Sequence, residues 1–243
     1  MKKLNVLLIL ILSISINIQA QSWWSSKKVR GNGNVITKTR TIDKFDRVSV
    51  GGSFNVVLVQ GKEGKVTIEG EENIIPYLET FVKNDKLKIK FKDNTNIRTT
   101  KKLTVTVAFE DVEGISLGGS GNVNVTSEIR GEDVDFNIGG SGNIRAKVAT
   151  ENAKASIGGS GNIKLEGTTT NFKASIAGSG NVKAYDLRAE NLKASIAGSG
   201  DVHIYATKKI KASVVGSGSV YYKGNPKYID TKSVGSGDVI NRN

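Results

Sequence analysis

The chain has 243 residues, of which 28 are Gly, 0 are Cys and only 37% are apolar. Without cysteine it can carry no disulfide, thiolate metal site or lipid-modified cysteine, and so thin an apolar fraction suits a repetitive β architecture better than a globular α/β enzyme. The formal net charge is +12, from 35 Lys+Arg against 23 Asp+Glu, a balance that favours acidic partners or serves solubility.

Lys2 and Lys3 precede the apolar run Leu7 to Ile14, and a weaker stretch ends at Ala20. This is the layout of a secretory signal, with cleavage expected after Ala20. The run is too short for a stable membrane anchor and no second one follows, so no transmembrane segment is expected in the mature chain. Export to the periplasm, cell surface or medium is the predicted fate, and it makes nucleic acid an unexpected physiological partner. Removing Lys2 and Lys3 leaves 33 basic against 23 acidic residues.

Residues 21–42 read as a flexible lead-in and a first strand, with Trp23-Trp24 and a basic Lys27-Lys28-Val29-Arg30. From 43 to 112 the chain is β-rich but irregular. Val48/Val50, Val56/Leu58, Val66/Ile68, Leu87/Ile89/Phe91 and Leu103/Val105/Val107 are alternating segments separated by Gly, Asn, Asp and Lys. Asn73 to Thr80 reads as a short helical or irregular insertion.

From 113 to 243 a repeat dominates. Gly-Ser-Gly begins at Gly119, Gly140, Gly159, Gly178, Gly198, Gly216 and Gly235, at spacings of 21, 19, 19, 20, 18 and 19 residues. Near-constant periods of this length are the mark of a solenoid. Apolar residues alternate on both sides of each Gly-Ser-Gly, so each unit predicts two β-segments with one buried face apiece. The inward set before the turn is Phe136/Ile138, Ala155/Ile157, Ala174/Ile176, Ala194/Ile196 and Ala212/Val214. After it the set is Val123/Val125, Ile144/Ala146, Ile163/Leu165, Val182/Ala184, Val202/Ile204 and Val220/Tyr222. Stacked at ~4.8 Å, these form columns that no single unit could bury alone. The corner glycines are expected where a Cβ would resist both the backbone angles and the close approach of the adjacent coil, Gly180 among them at a positive φ. The residues that follow, Asn122, Asn143, Asn162, Asn181, Asp201, Ser219 and Asp238, are expected to bond the turns and to stack as an amide ladder.

Gly31-Asn32-Gly33-Asn34-Val35, Phe45-Asp46-Arg47-Val48, Gly51-Gly52-Ser53-Phe54-Asn55-Val56, Gln60-Gly61, Glu69-Gly70 and the Gly-Ser-Gly-Asn-Val units together resemble the head GIN domain family. That family carries an autotransporter adhesin label, and the resemblance spans roughly residues 31–240. It implies an all-β, right-handed parallel β-helix on an exported protein, and it brings no catalytic or binding residues with it. An autotransporter's membrane barrel needs many strands of about 10 alternating residues. None is expected after Gly235, so the autotransporter half of the label is not expected to apply, and the adhesin half rests on shape alone.

Few residues suggest chemistry. Gly118-Gly119-Ser120-Gly121-Asn122-Val123 begins like a calcium-binding solenoid turn, but its sixth position is the inward Val123, so no calcium, other metal or cofactor is expected. A glycosidase or lyase needs clustered carboxylates. Asp201 and Asp238 share a column two rungs apart with Ser219 between them, and the sole histidine, His203, has no acid pair near it. No catalytic residue is assigned, and a carbohydrate-active enzyme is the alternative reading, ahead of a structural envelope protein. The sharper feature is cationic. Lys154, Lys173, Lys193 and Lys211 share one outward column before the turn, and Arg145, Lys164 and Lys183 share another after it. Stacked like charges repel unless an anion binds them. These seven residues are the candidate ligand site, with an acidic polysaccharide or other cell-surface polyanion as partner. The competing explanation is protection of the surface by lysine.

Overall fold

A computed structural model describes residues 27–243; the expected signal and its cleavage point lie outside them. Eighteen strands follow in order. The N-terminal ones are β1 (Lys27–Arg30), β2 (Val35–Thr41), β3 (Arg47–Gly51), β4 (Asn55–Gln60), β5 (Lys65–Glu71), β6 (Leu78–Lys83), β7 (Lys86–Phe91), β8 (Thr95–Arg98) and β9 (Thr104–Phe109). The coils follow as β10 (Gly114–Gly119), β11 (Asn122–Gly140), β12 (Asn143–Gly159), β13 (Asn162–Gly178), β14 (Asn181–Gly198), β15 (Val202–Gly216), β16 (Val220–Lys223), β17 (Tyr228–Gly235) and β18 (Val239–Asn241). The stretch around residue 75 is irregular as expected, with one 3-10 turn at Ile75–Tyr77.

The coils stack in parallel register, and the phase is the one the alternation predicts. Ile157 pairs with Ile176, Ile176 with Ile196 and Ile196 with Val214. Every inward residue named above is buried. A parallel sheet can run for many strands here because each coil offers the next the same backbone edge and the same apolar face. The β-solenoid class is therefore the fold, with a less regular N-terminal part.

The glycines of each corner divide two tasks. In Gly178-Ser179-Gly180 the positive φ falls on Gly178, at 134°. Gly180 keeps an ordinary φ, which corrects the expected conformational reason. The other expected reason holds, since a Cβ there would strike the carbonyl oxygen of Gly161 in the coil below. The ladder after the corner forms as expected. Asn143 Nδ2 donates to Asn122 Oδ1 at 2.9 Å, Asn162 to Asn143 at 3.0 Å and Asn181 to Asn162 at 3.1 Å. It extends one rung further than the Gly-Ser-Gly units, because Asn122 Nδ2 donates to Asn55 Oδ1.

The N-terminal strands stack in an order that the chain order hides. β3 lies between β10 and β7, and β4 lies between β11 and β9. The chain therefore makes one coil, loops outward to make another beyond it, and returns to the inner side to start the regular stack. Antiparallel strands then close the outer edge: β6 on β7, and β5 on β9 with β2 on β5. Covering an exposed parallel edge removes a template for unwanted pairing. Part of the stretch expected as a flexible lead-in is ordered, since β1 pairs with β8.

A buried carboxylate ties this cap together. Glu71 is 1% exposed. It accepts hydrogen bonds from the amides of Gly33, Thr100 and Lys101 at 2.7, 2.8 and 3.2 Å, and from the Thr100 hydroxyl. Burial alone would raise its pKa, but the Thr100 hydroxyl and then the three amides hold it down, at about 2.

Candidate functional site

The outer face of the sheet made by the second halves of β11 to β14 and by β15 presents its columns in a fixed order. Alternation sends every second residue outward, and parallel register lines up equivalents from coil to coil. The lysine column is a true column: Lys154 pairs with Lys173, Lys173 with Lys193 and Lys193 with Lys211. Its ends are acidic, with Asp135 in register below Lys154 and Asp230 above Lys211. Asp230 lies 3.6 Å from Lys211, and Asp135 lies 4.0 Å from Arg47. Among the described residues Lys154, Lys173 and Lys193 form no ion pair within 4.0 Å.

Two residues earlier on each rung runs a second amide ladder that the sequence reading missed. Asn152 Nδ2 donates to Asp133 Oδ1 at 2.9 Å, Asn171 to Asn152 at 2.9 Å and Asn191 to Asn171 at 3.0 Å. Each amide in the ladder spends one N–H on its neighbour and keeps another for an outside acceptor. The signal was present, because Asp133, Asn152, Asn171 and Asn191 recur at the coil period. It went unread because no Gly-Ser-Gly marks that corner. Between this ladder and the lysines lies a groove of about 460 Å³, floored by Val134, Ala153, Phe172 and Leu192.

The other cationic column has a different environment. Arg145, Lys164 and Lys183 also stack in register. Lys164 Nζ lies 2.9 Å from Glu166 and 3.6 Å from Asp186, and Arg145 lies 3.7 Å from Glu166. The hydrogen bond from Lys164 holds the Glu166 carboxyl below its ordinary pKa. The structure therefore brings the seven candidates into two columns on two faces: among the described residues only the end residue Lys211 of one is ion-paired, and in the other Arg145 and Lys164 are paired while Lys183 is not.

Of the residues weighed for catalysis, Asp201 is engaged in the corner ladder, whereas His203 is packed between aromatic rings with its buried Nδ1 unpartnered among the described residues. Asp201 Oδ1 accepts the Ser219 amide at 2.8 Å, so this carboxylate continues the corner ladder. His203 stacks on Tyr221 with ring centroids 5.0 Å apart and meets Tyr185 edge-on at 5.1 Å. Burial lowers its pKa. Among the described residues no group of three or more His, Cys, Asp or Glu could hold a metal ion. No helix among them is long and apolar enough to cross a membrane.

A stack of Gly-cornered β coils with two side-chain ladders running along it defines a β-solenoid. A family described as "Putative auto-transporter adhesin, head GIN domain" matches residues 44–226, and the chain belongs to it. Solved structures agree. A putative adhesin from Bacteroides fragilis is 28% identical with a TM-score of 0.84, over 88% of this chain and 100% of that one. A putative lipid binding protein from Parabacteroides distasonis is 30% identical with a TM-score of 0.73, over 89% and 100%. A putative adhesin from Parabacteroides merdae, at 24% identity and a TM-score of 0.69, shares the fold. No curated protein matches the sequence.

Proposed function

We propose that the protein is an exported, non-enzymatic adhesion module that binds an extended acidic polysaccharide along the solenoid axis. The observation that carries this is the open column of Lys154, Lys173, Lys193 and Lys211 beside an amide ladder in the same register. A polyanion laid along the groove meets one ammonium on each of four rungs, with a free amide N–H beside it on the rungs of Lys154, Lys173 and Lys193. Its charges relieve a repulsion that the fold leaves unscreened at Lys154, Lys173 and Lys193, Lys211 being paired with Asp230. Contacts repeated at ~4.8 Å make such binding multivalent. The family's adhesin description and the like description of the B. fragilis relative support the adhesion reading. The engagement of Asp201 in the corner ladder supports a role without catalysis.

Binding to an immobilised polyuronate and to a matched neutral glycan tests the proposal. Serine at all four column lysines should weaken polyuronate binding by roughly tenfold or more, each lost exposed contact being worth about 0.2–1 kcal/mol. Serine at Arg145, Lys164 and Lys183 should cost less, because Glu166 and Asp186 already occupy much of that charge. Binding should fade with salt as the Debye length shrinks from about 10 Å at 0.1 M to about 3 Å at 1 M. Equal losses for the two variants would reduce the site to a general basic field. The P. distasonis relative is described as lipid binding, so vesicles with anionic headgroups form a parallel arm. Preference for vesicles over the glycan would assign the lysines to a membrane surface. Release of shortened sugars would defeat the non-enzymatic reading.

A further inference from the structure

The last coil ends in an edge unlike the rest of the surface. β17 pairs with β15 on one side, and among the described residues no strand pairs with its other side. Such an edge offers a row of backbone N–H and C=O groups to an incoming strand. The usual defences are thin there. The strand, Tyr-Ile-Asp-Thr-Lys-Ser-Val-Gly, contains no proline and a single lysine. Tyr228, Ile229 and Val234 are 70%, 49% and 68% exposed, and Val215, in register with Val234, is 53% exposed.

The opposite end of the stack is closed by antiparallel strands, so one copy cannot continue the stack of another head to tail. The same edge on a second copy remains available, and its sequence is self-complementary. Register with β15 places Tyr228, Asp230, Lys232 and Val234 on the outward side of β17. In a twofold antiparallel pairing centred on Thr231, Tyr228 faces Val234 of the second copy. Asp230 faces Lys232 of the second copy, and each contact occurs twice. Opposite-charge and aromatic–aliphatic cross-strand pairs are the ones that stabilise a sheet, and a twofold interface closes without forming a fibre.

We propose that the protein dimerises through β17, edge to edge, with Thr231 at the twofold axis. This does not depend on the glycan reading, since it rests on the free edge of β17 rather than on the lysine column, although Asp230 also pairs with Lys211 at that column's end. Its consequence is geometric. Directly opposed residues of an antiparallel pair point to the same side of the sheet, so the outer faces of the two copies join and both lysine columns lie on one continuous surface.

Sedimentation equilibrium of the purified chain tests this over a range of concentrations. A concentration-dependent dimer mass is expected. Val234→Glu should give a monomer with unchanged β-sheet circular dichroism, because the side chain is outward. Asp230→Lys should weaken association by roughly tenfold, as two attractive cross-strand pairs become repulsive. The swap Asp230→Lys with Lys232→Asp should restore much of the loss, since the opposed charges again differ in sign. A monomer at every concentration overturns the proposal. So does a dimer that is indifferent to Val234→Glu, or a charge swap no better than Asp230→Lys alone.

Discussion

The regular coils and the N-terminal cap bury apolar surface by different means. In the coils the core is periodic: Ala155, Ala174, Ala194 and Ala212 form one column, and Ile157, Ile176, Ile196 and Val214 another. In the cap the core is aperiodic, built around Phe45, Phe109, Ile74, Ile75 and Leu78, with a buried carboxylate at its rim. An interior rung has identical neighbours above and below, so one solution serves every rung. An end rung has a neighbour on one side only. At the N-terminal end its edge and its apolar face are covered by something that is not another coil: β2, β5 and β6, which run antiparallel.

The strongest way to break the comparison is at a corner glycine. Gly180→Val should cost more than about 4 kcal/mol or prevent folding, because the new side chain collides with a backbone carbonyl that cannot move without the coil below. Gly139→Ala is the matched control. Nothing lies within 4 Å of a Cβ at Gly139, so its effect should stay within about 0.5 kcal/mol. Denaturant melts of the two variants decide whether backbone contact, rather than glycine content, holds the coils together.

Phe172→Ala comes next, at about 3–5 kcal/mol. Phe172 is 2% exposed and stands between Ala153 and Leu192 in its column. Ala153 below it is too small to fill the space left. A much smaller loss of stability would mean that the coils can slide inward to close a void, and that the column is less rigid than its register implies.

Glu71→Gln probes the cap by pH. The Glu71 pKa is lowered in the folded protein to about 2 from an ordinary value of 4.5. Its ionised form therefore contributes stability that is fully present above pH 4.5. That contribution is lost as pH falls through the interval down to about 2. Wild type should melt higher than Glu71→Gln at pH 7, and the gap should shrink steadily toward pH 2. A gap independent of pH would show that the amide fails for shape rather than charge.

The smallest effect belongs to the outward columns. Lys183→Ser should change stability by less than about 0.5 kcal/mol, because Lys183 is exposed at the edge of its column. A loss as large as that of Phe172→Ala would overturn the inward and outward assignment of β14.

The sequence was sufficient for the coils because each one repeats two signals: alternation of period two, and Gly-Ser-Gly at the coil period. Inward and outward faces, the lysine column and the corner ladder all follow from repetition of those signals. The ladder of Asn152, Asn171 and Asn191 has the same period, but no turn motif beside it to draw attention. Tertiary structure alone decided the rest. That β3 and β4 sit inside β7 and β9 depends on which edge a loop returns to, and alternation is blind to edges. That Glu71 is a buried staple depends on loops 29 and 38 residues away in sequence converging on one carboxylate. That one cationic column is largely open and the other paired at Arg145 and Lys164 depends on where Glu166 and Asp186 fall relative to Lys164. Periodicity specifies what repeats. What happens at an end, at an edge or between unlike neighbours is set by contacts that occur once.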